Sequence, residues 1–218
     1  MLKNYLKIAF RNLLKHKGYT LLNVAGLAIG MACCILILLY VQDELSYDRH
    51  HEKADRIYRV AADLKFGGYH HRLAVAPAPL AAALVRDYAE VVAAARFRDQ
   101  GSSLVKKEGA QNFKEERVIF ADNAVFEIFT LPFLSGDAKT ALVEPDAVVI
   151  TATTAKKYFG ENSALGQALI FDNAATYKIT GVIADMPANS HFHFDLILSL
   201  TALEESRNEE WGSNNFTT

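Results

Sequence analysis

Residues 19–41 read YTLLNVAGLAIGMACCILILLYV, a run without one charged side chain. At 1.5 Å rise per residue a helix of this length spans roughly 35 Å, enough to cross a hydrocarbon core with some tilt. Upstream, residues 1–18 carry Lys3, Lys7, Arg11, Lys15 and Lys17 and no acid; downstream, Gln42, Asp43 and Glu44 close the run. The positive-inside rule holds the basic end in the cytoplasm. Everything from Gln42 onward is then expected beyond the membrane, which for the inner (cytoplasmic) membrane of a diderm bacterium means the periplasm.

A cleaved signal peptide is the competing reading of a basic segment followed by an apolar one. The apolar run is too long for that, and no A-x-A-like site follows it. Gly30-Met31-Ala32-Cys33 has some likeness to a lipoprotein cleavage box, but the run continues for eight residues past Cys33. The reading adopted is an uncleaved anchor: 1–18 a cytoplasmic basic segment, 19–41 a transmembrane helix, 42–218 an external domain.

The near balance of 23 basic and 25 acidic residues hides a split. Without the five N-terminal cations the remainder carries 18 basic and 25 acidic residues, net −7. Nucleic-acid binding wants a basic face, so no nucleic-acid partner is expected. About 175 residues follow the span, enough for one sizeable core or two small lobes. Both cysteines, Cys33 and Cys34, lie inside the apolar run, which leaves the external part without a disulfide.

Before the span, Leu2, Leu6, Ile8, Ala9, Leu13 and Leu14 fall mostly on one helical face, with Lys3, Lys7, Arg11 and Lys15 on the other. A basic amphipathic helix suits an interface with anionic lipids. It serves either as a plain topology signal or as a cytoplasmic elbow that a partner pushes on. Inside the span, Gly26 and Gly30 form a G-x-x-x-G, a face where another helix can approach closely. Asn23 adds a polar group that prefers a partner over hydrocarbon.

The external part shows no internal repeat or low-complexity linker. Residues 46–54 are polar and could continue the helix outward. The alternation at 56–60 predicts a strand, and Gly67-Gly68 a hairpin turn with a return strand over 69–75. Pro77 and Pro79 open a helix over 80–88. Strands are expected at 91–97, 103–107, 116–120, 147–150, 168–171, 177–183 and 194–198. A short helix is expected at 123–129 capped by Asp122, and a second one, capped by Thr151 or Thr153, ends at Gly160. Residues 201–218 are polar with no element of their own. Mixed strands and short helices make an α+β domain, in two lobes.

No constellation for catalysis emerges: there is no G-x-x-x-x-G-K-[ST] loop, no G-x-S-x-G elbow and no H-E-x-x-H pair. On a strand, His191, His193 and Asp195 would share a face as a three-ligand metal site could. The plainer reading makes them polar residues at a strand entry, with Phe192 and Phe194 buried opposite. His50-His51 and His70-His71 would point apart on a strand and sit in polar junctions. No catalytic residue, metal or cofactor is expected, and the chain is not read as an enzyme.

Several strings carry a resemblance. YLKIAFRNL at 5–13 with YTLLNVAGLAIG at 19–30 is similar to the N-terminus of MacB/FtsX-like ABC transporter permeases, in their Bacteroidetes-type form. FEIFTLPFLSGD at 126–137 is a second such string, and IT at 150–151, KYFG at 157–160 and LGQ at 165–167 make a third. ITGV at 179–182, DMP at 185–187 and NSHFHFD at 189–195 form the fourth and most distinctive. They occur in the family's order and cover nearly all of the chain.

The resemblance implies an N-terminal span, a MacB-like periplasmic core domain and three or more further spans. It also implies a cytoplasmic ABC ATPase subunit as partner, a second permease copy or homologous half, membrane lipids and a possible periplasmic partner. In such proteins ATP-driven motion reaches the periplasmic domain, for efflux, lipoprotein extraction or mechanotransmission to a partner enzyme. After Val41 no second apolar run occurs, and the polar stretch to Thr218 reads as an unfinished domain. The expectation is therefore the N-terminal portion of a permease subunit. A single-span periplasmic sensor or adaptor is the alternative.

Overall fold

A computed structural model of the chain describes residues 2–218; Met1, the first residue of the expected 1–18 segment, lies outside the described residues. Two compact units result, Met1–Tyr47 and Asp48–Thr218.

The first unit is two helices, α1 (Leu2–Lys15) and α2 (Lys17–Glu44). The break falls at His16, whose ψ of 55° leaves the helical region, and the Thr20 hydroxyl donates to the Leu13 carbonyl across it (2.9 Å). Lys17 thus stands in the first turn of α2, one helix later than the other four cations. No residue of α2 is buried. Among the described residues this helix alone is long and apolar enough to cross a membrane. An apolar helix with every side chain turned outward needs an apolar medium, lipid or other helices, to be stable.

The second unit starts with a turn region and a short 3-10 helix (Ala54–Arg56). The hairpin β1 (Ala62–Phe66) and β2 (Tyr69–Leu73) follows, pairing only with itself. Then come α3 (Leu80–Asp87), β3 (Phe97–Lys106), β4 (Phe113–Ala121), α4 (Val125–Ile128), β5 (Phe133–Gly136) and β6 (Ala147–Thr151). The unit is completed by α5 (Ala152–Phe159), β7 (Ala168–Phe171), β8 (Ala175–Ile183) and β9 (Leu196–Ser199).

Seven strands form one sheet in the order β5-β8-β6-β9-β4-β3-β7, and β7 also pairs with β8, so the order runs back on itself. The β4–β9 and β6–β8 pairs are parallel and the rest antiparallel. Every residue of β6 is buried, as a near-continuous apolar central strand requires. Alternate residues feed two apolar layers: Val118, Phe120, Val148, Ile150 and Leu198 on one face, Ile119, Ala121, Val149 and Ile197 on the other. Each fully buried Val, Ile or Leu contributes about 1.5–3 kcal/mol. In place of two separate lobes, one sheet carries a core on each face.

The α+β class holds, and several local expectations are corrected. Residues 56–60 form no strand: Arg56 ends the 3-10 helix, Ile57 is extended, and Val60 N–H donates to the Thr218 carbonyl. Strand structure starts at Phe97 and not at 91, because the Arg96 N–H is taken by the Asp122 carboxylate. That same carboxylate is therefore unavailable to cap α4, which has no side-chain cap. The expected polar, element-free tail holds two 3-10 turns, and Phe216 is 2% exposed in the core. Its backbone exchanges hydrogen bonds with Ala76 while Thr217 pairs with Phe97. Thr151 is the cap of α5, accepting from Thr154 N–H, and Gly160 ends it at φ +62°.

Candidate functional site

The chain leaving α2 does not continue as a helix; residues 45–50 are turns. Asp48 takes a positive φ of 57°, which aspartate tolerates better than most residues. The next residues, 48–53, form a strap fastened to the sheet domain at two places.

The first fastening is Asp48. Its N–H donates to the Asn189 carbonyl (3.0 Å), its Oδ1 accepts from the His191 N–H (2.9 Å) and its Oδ2 lies 2.8 Å from His191 Nδ1. The second joins residues 51–53 to residues 127–130. Glu52 N–H donates to Thr130 Oγ1 (2.8 Å), Lys53 Nζ to the Glu127 carbonyl (2.7 Å), and Thr130 N–H to His51 Nδ1 (3.2 Å). His51 is 6% exposed and meets the edge of Phe129 at 5.1 Å. Phe129 in turn meets Phe97 and Phe192, so the His51 ring borders an aromatic cluster that includes Phe194.

One possible ligand atom from each of Asp48, His50 and His51 lies within 4.8 Å of the others. The donor set does not fit a metal. A neutral imidazole carries one N–H, and because His51 Nδ1 accepts from Thr130 its proton belongs on Nε2, leaving no lone pair there. Among the described residues His51 Nε2 and His50 Nδ1 are buried without hydrogen-bond partners, and the two rings lie 3.9 Å apart. Burial first, and His50 second, push His51 below the ordinary imidazole range, while Asp48 pulls the other way.

The residues singled out in the sequence are distributed differently. His191, His193 and Asp195 share no strand face, since β9 begins only at Leu196. His191 is engaged by Asp48, whereas His193 and Asp195 line a cleft of about 210 Å³ with Arg117 and Asp185. His50 and His51 do not point apart, because they occupy a turn and not a strand. Gly26 and Gly30 have nothing within 4 Å of where a Cβ would stand. Lys3, Lys7, Arg11, Lys15 and Lys17 are exposed. Asp48 and Thr130 carry no signal in the sequence, and His51 figures there only in the His50-His51 pair: their partners lie 78 to 143 residues away, and no local pattern announces them.

The MacB-like periplasmic core domain family matches residues 20–217. Among solved structures, a domain assigned to a permease protein from Porphyromonas gingivalis is similar with a TM-score of 0.61 and 22% identity. That match covers 68% of this chain and 63% of the other, so the chain spans somewhat under two thirds of that domain's length. The periplasmic region of MacB from Actinobacillus actinomycetemcomitans gives a TM-score of 0.46 at 16% identity, covering 63% of this chain and 62% of that one. The extracellular domain of the ABC-type transporter YknZ from Gram-positive bacteria gives 0.41 at 14%, covering 56% and 60%. No curated protein matches.

Proposed function

The chain belongs to the family of the MacB-like periplasmic core domain, and from that premise we propose that it is the N-terminal portion of an ABC transporter permease subunit that carries motion to its periplasmic domain. ATP hydrolysis is the work of a cytoplasmic partner, and this chain supplies no catalytic group. The N-terminus with its five cations sits on the cytoplasmic side of the inner membrane, against anionic headgroups. The sheet domain stands in the periplasm. The Gly26/Gly30 face packs on a second permease copy or on further spans of the same subunit.

The observation that carries this reading is the strap. The chain passes from an apolar helix with no buried residue into six residues held by polar bonds to two of the family-like strings, 126–137 and 189–195. On this reading a displacement of the helix enters the sheet domain at the strap, the first part of that domain along the chain. Export of a substrate and mechanical regulation of a periplasmic partner use the same joint.

The test is affinity purification of the native protein from membranes in mild detergent, with and without Gly26→Leu and Gly30→Leu together. An ABC ATPase subunit is expected to co-purify, with its hydrolysis or its recovery reduced by the double substitution. Absence of any ATPase from a stable preparation would transfer the case to a single-span sensor or adaptor. Normal assembly of the double variant would remove the glycine face from the reading.

A further inference from the structure

We propose that His51 is a proton-operated latch on the strap: when Nδ1 gains a proton, residues 51–53 are released from residues 127–130 while Asp48 stays fastened. The inference rests on reading 48–53 as the joint, and adds to it a condition under which one of its two fastenings lets go.

Thr130 N–H needs an acceptor, and His51 Nδ1 is the atom that meets it. An imidazolium has N–H on both nitrogens, so protonation sets two donors face to face and the bond is lost. No compensation waits on the other side of the ring, where Nε2 is already a buried donor without a partner. The fastening at Asp48 does not use that imidazole: it is made by the Asn189 carbonyl and by the His191 N–H and Nδ1.

The charged and titratable groups around His51 are few. On the strap they are Asp48, Arg49, His50, Glu52 and Lys53; the 127–130 segment brings Glu127, and the loop before β9 brings His191. His50 opposes a second positive charge and Asp48 favours it, with burial the larger effect. A histidine held below its unfolded value of about 6.5 stabilises the fold fully above that pH. The contribution is lost as pH falls from there through the folded value. The latch is therefore closed at neutral pH and opens under acid, a range the periplasm can meet since it shares the outside medium's protons.

The test is amide hydrogen exchange on the full chain in lipid nanodiscs at about pH 7.5 and about pH 5, corrected for intrinsic rates. Protection at Thr130 and Glu52 is expected to fall roughly tenfold on acidification. His51→Asn places a non-titrating Oδ1 acceptor near the same position and should make protection independent of pH. His191→Asn should leave the dependence in place. Unchanged wild-type protection, or an equal loss in His51→Asn, would overturn the latch. A measurement that needs no variant is the His51 tautomer by imidazole nitrogen NMR: a proton on Nε2 at neutral pH is expected, and one on Nδ1 or stoichiometric bound zinc would overturn it. No ATPase enters these measurements, so failure of the latch is distinct from failure of the transporter reading.

Discussion

Arg96 and Asp122 form a bidentate pair, Nε to Oδ2 at 2.8 Å and Nη2 to Oδ1 at 3.0 Å, with about a fifth of each side chain exposed. The same guanidinium donates through Nη1 to the carbonyls of Ala78 and Ser206, and the Arg96 N–H donates to Asp122. One side chain thereby ties together the segment before α3, the start of β3, the end of β4 and the 3-10 turn near the C-terminus. It also covers the Phe216 ring, 5.6 Å from the guanidinium carbon.

Removing one partner strands the other in a mostly dry site, where lysine cannot reproduce the fork. Arg96→Lys and Asp122→Asn are each expected to cost about 2–3 kcal/mol, seen as a Tm lowered by roughly 5–10 °C for a domain of this size. Arg86–Asp87, an exposed pair of similar length, is the control. Alanine at Arg86 should leave Tm within about a degree. Equal effects at the two pairs would refute the role given to Arg96.

Gly136 opposes Gly181 where β5 joins β8. Its φ is +93°, and a Cβ there would strike the Thr180 carbonyl oxygen and come within 2.8 Å of the Gly181 Cα. Gly181 has the Phe133 ring 2.6 Å from its own Cβ position. Alanine at Gly136 thus meets both an unfavourable backbone region and backbone atoms that cannot rotate away. A loss of about 2–4 kcal/mol is expected, with exchange protection lost first in β5. Alanine at Gly160, whose φ of +62° and ψ of −125° lie outside the left-handed helical region but whose surroundings are open, meets backbone strain alone and should cost less, about 1–2 kcal/mol. Chemical denaturation of the three proteins separates the two contributions.

What could be read in advance follows from how local each signal is. β7 is legible to the residue, because a short apolar run is bounded on both sides by turn formers; the Gly67-Gly68 hairpin and the Thr151 cap rest on equally local chemistry. The strand expected at 91–97 failed because Asp122 occupies the Arg96 amide, a partner 26 residues away. Phe216 is unreadable as core from its polar neighbours, since only Ala76 and Phe97 opposite it make the tail a paired segment. The strap was hidden for the same reason. Its residues look like a polar helix extension until Asn189, His191 and Thr130 are brought to it.

Glu115 is a buried carboxylate, its side chain 7% exposed, held by Lys157 Nζ at 2.7 Å and the Tyr158 hydroxyl at 2.5 Å. Burial, then the hydrogen bond to Glu115, push the Tyr158 phenol far above its ordinary range, so it remains a donor at every accessible pH. The two partners come from adjacent residues of α5 and dock that helix on β4. Lys157→Met leaves the carboxylate with one neutral donor and is expected to cost about 2–3 kcal/mol. Tyr158→Phe should cost about 1 kcal/mol. Lys157→Met in a Glu115→Gln background should cost far less than alone, a coupling that a double-mutant cycle reads directly.

Asp195 stands on the other side of the balance. Burial raises its carboxyl above the usual range, and Arg117, the main influence in the other direction, has its Nε 3.9 Å from Oδ2 and is itself mostly exposed. A raised carboxyl favours the fold in its protonated form, so its stabilising contribution is present below the unfolded value of about 3.9. It is lost as pH rises through the folded value, and at neutral pH the charged group is a net cost. The backbone bonds of Asp195, from its N–H to the Arg117 carbonyl and from Thr151 N–H to its own carbonyl, do not involve the side chain. Asp195→Asn is therefore expected to raise Tm at pH 7 and to leave it unchanged near pH 3.5, the difference opening as the wild-type carboxyl ionises. A lower Tm for the variant at pH 7 would mean that the pull of Arg117 outweighs desolvation at this position.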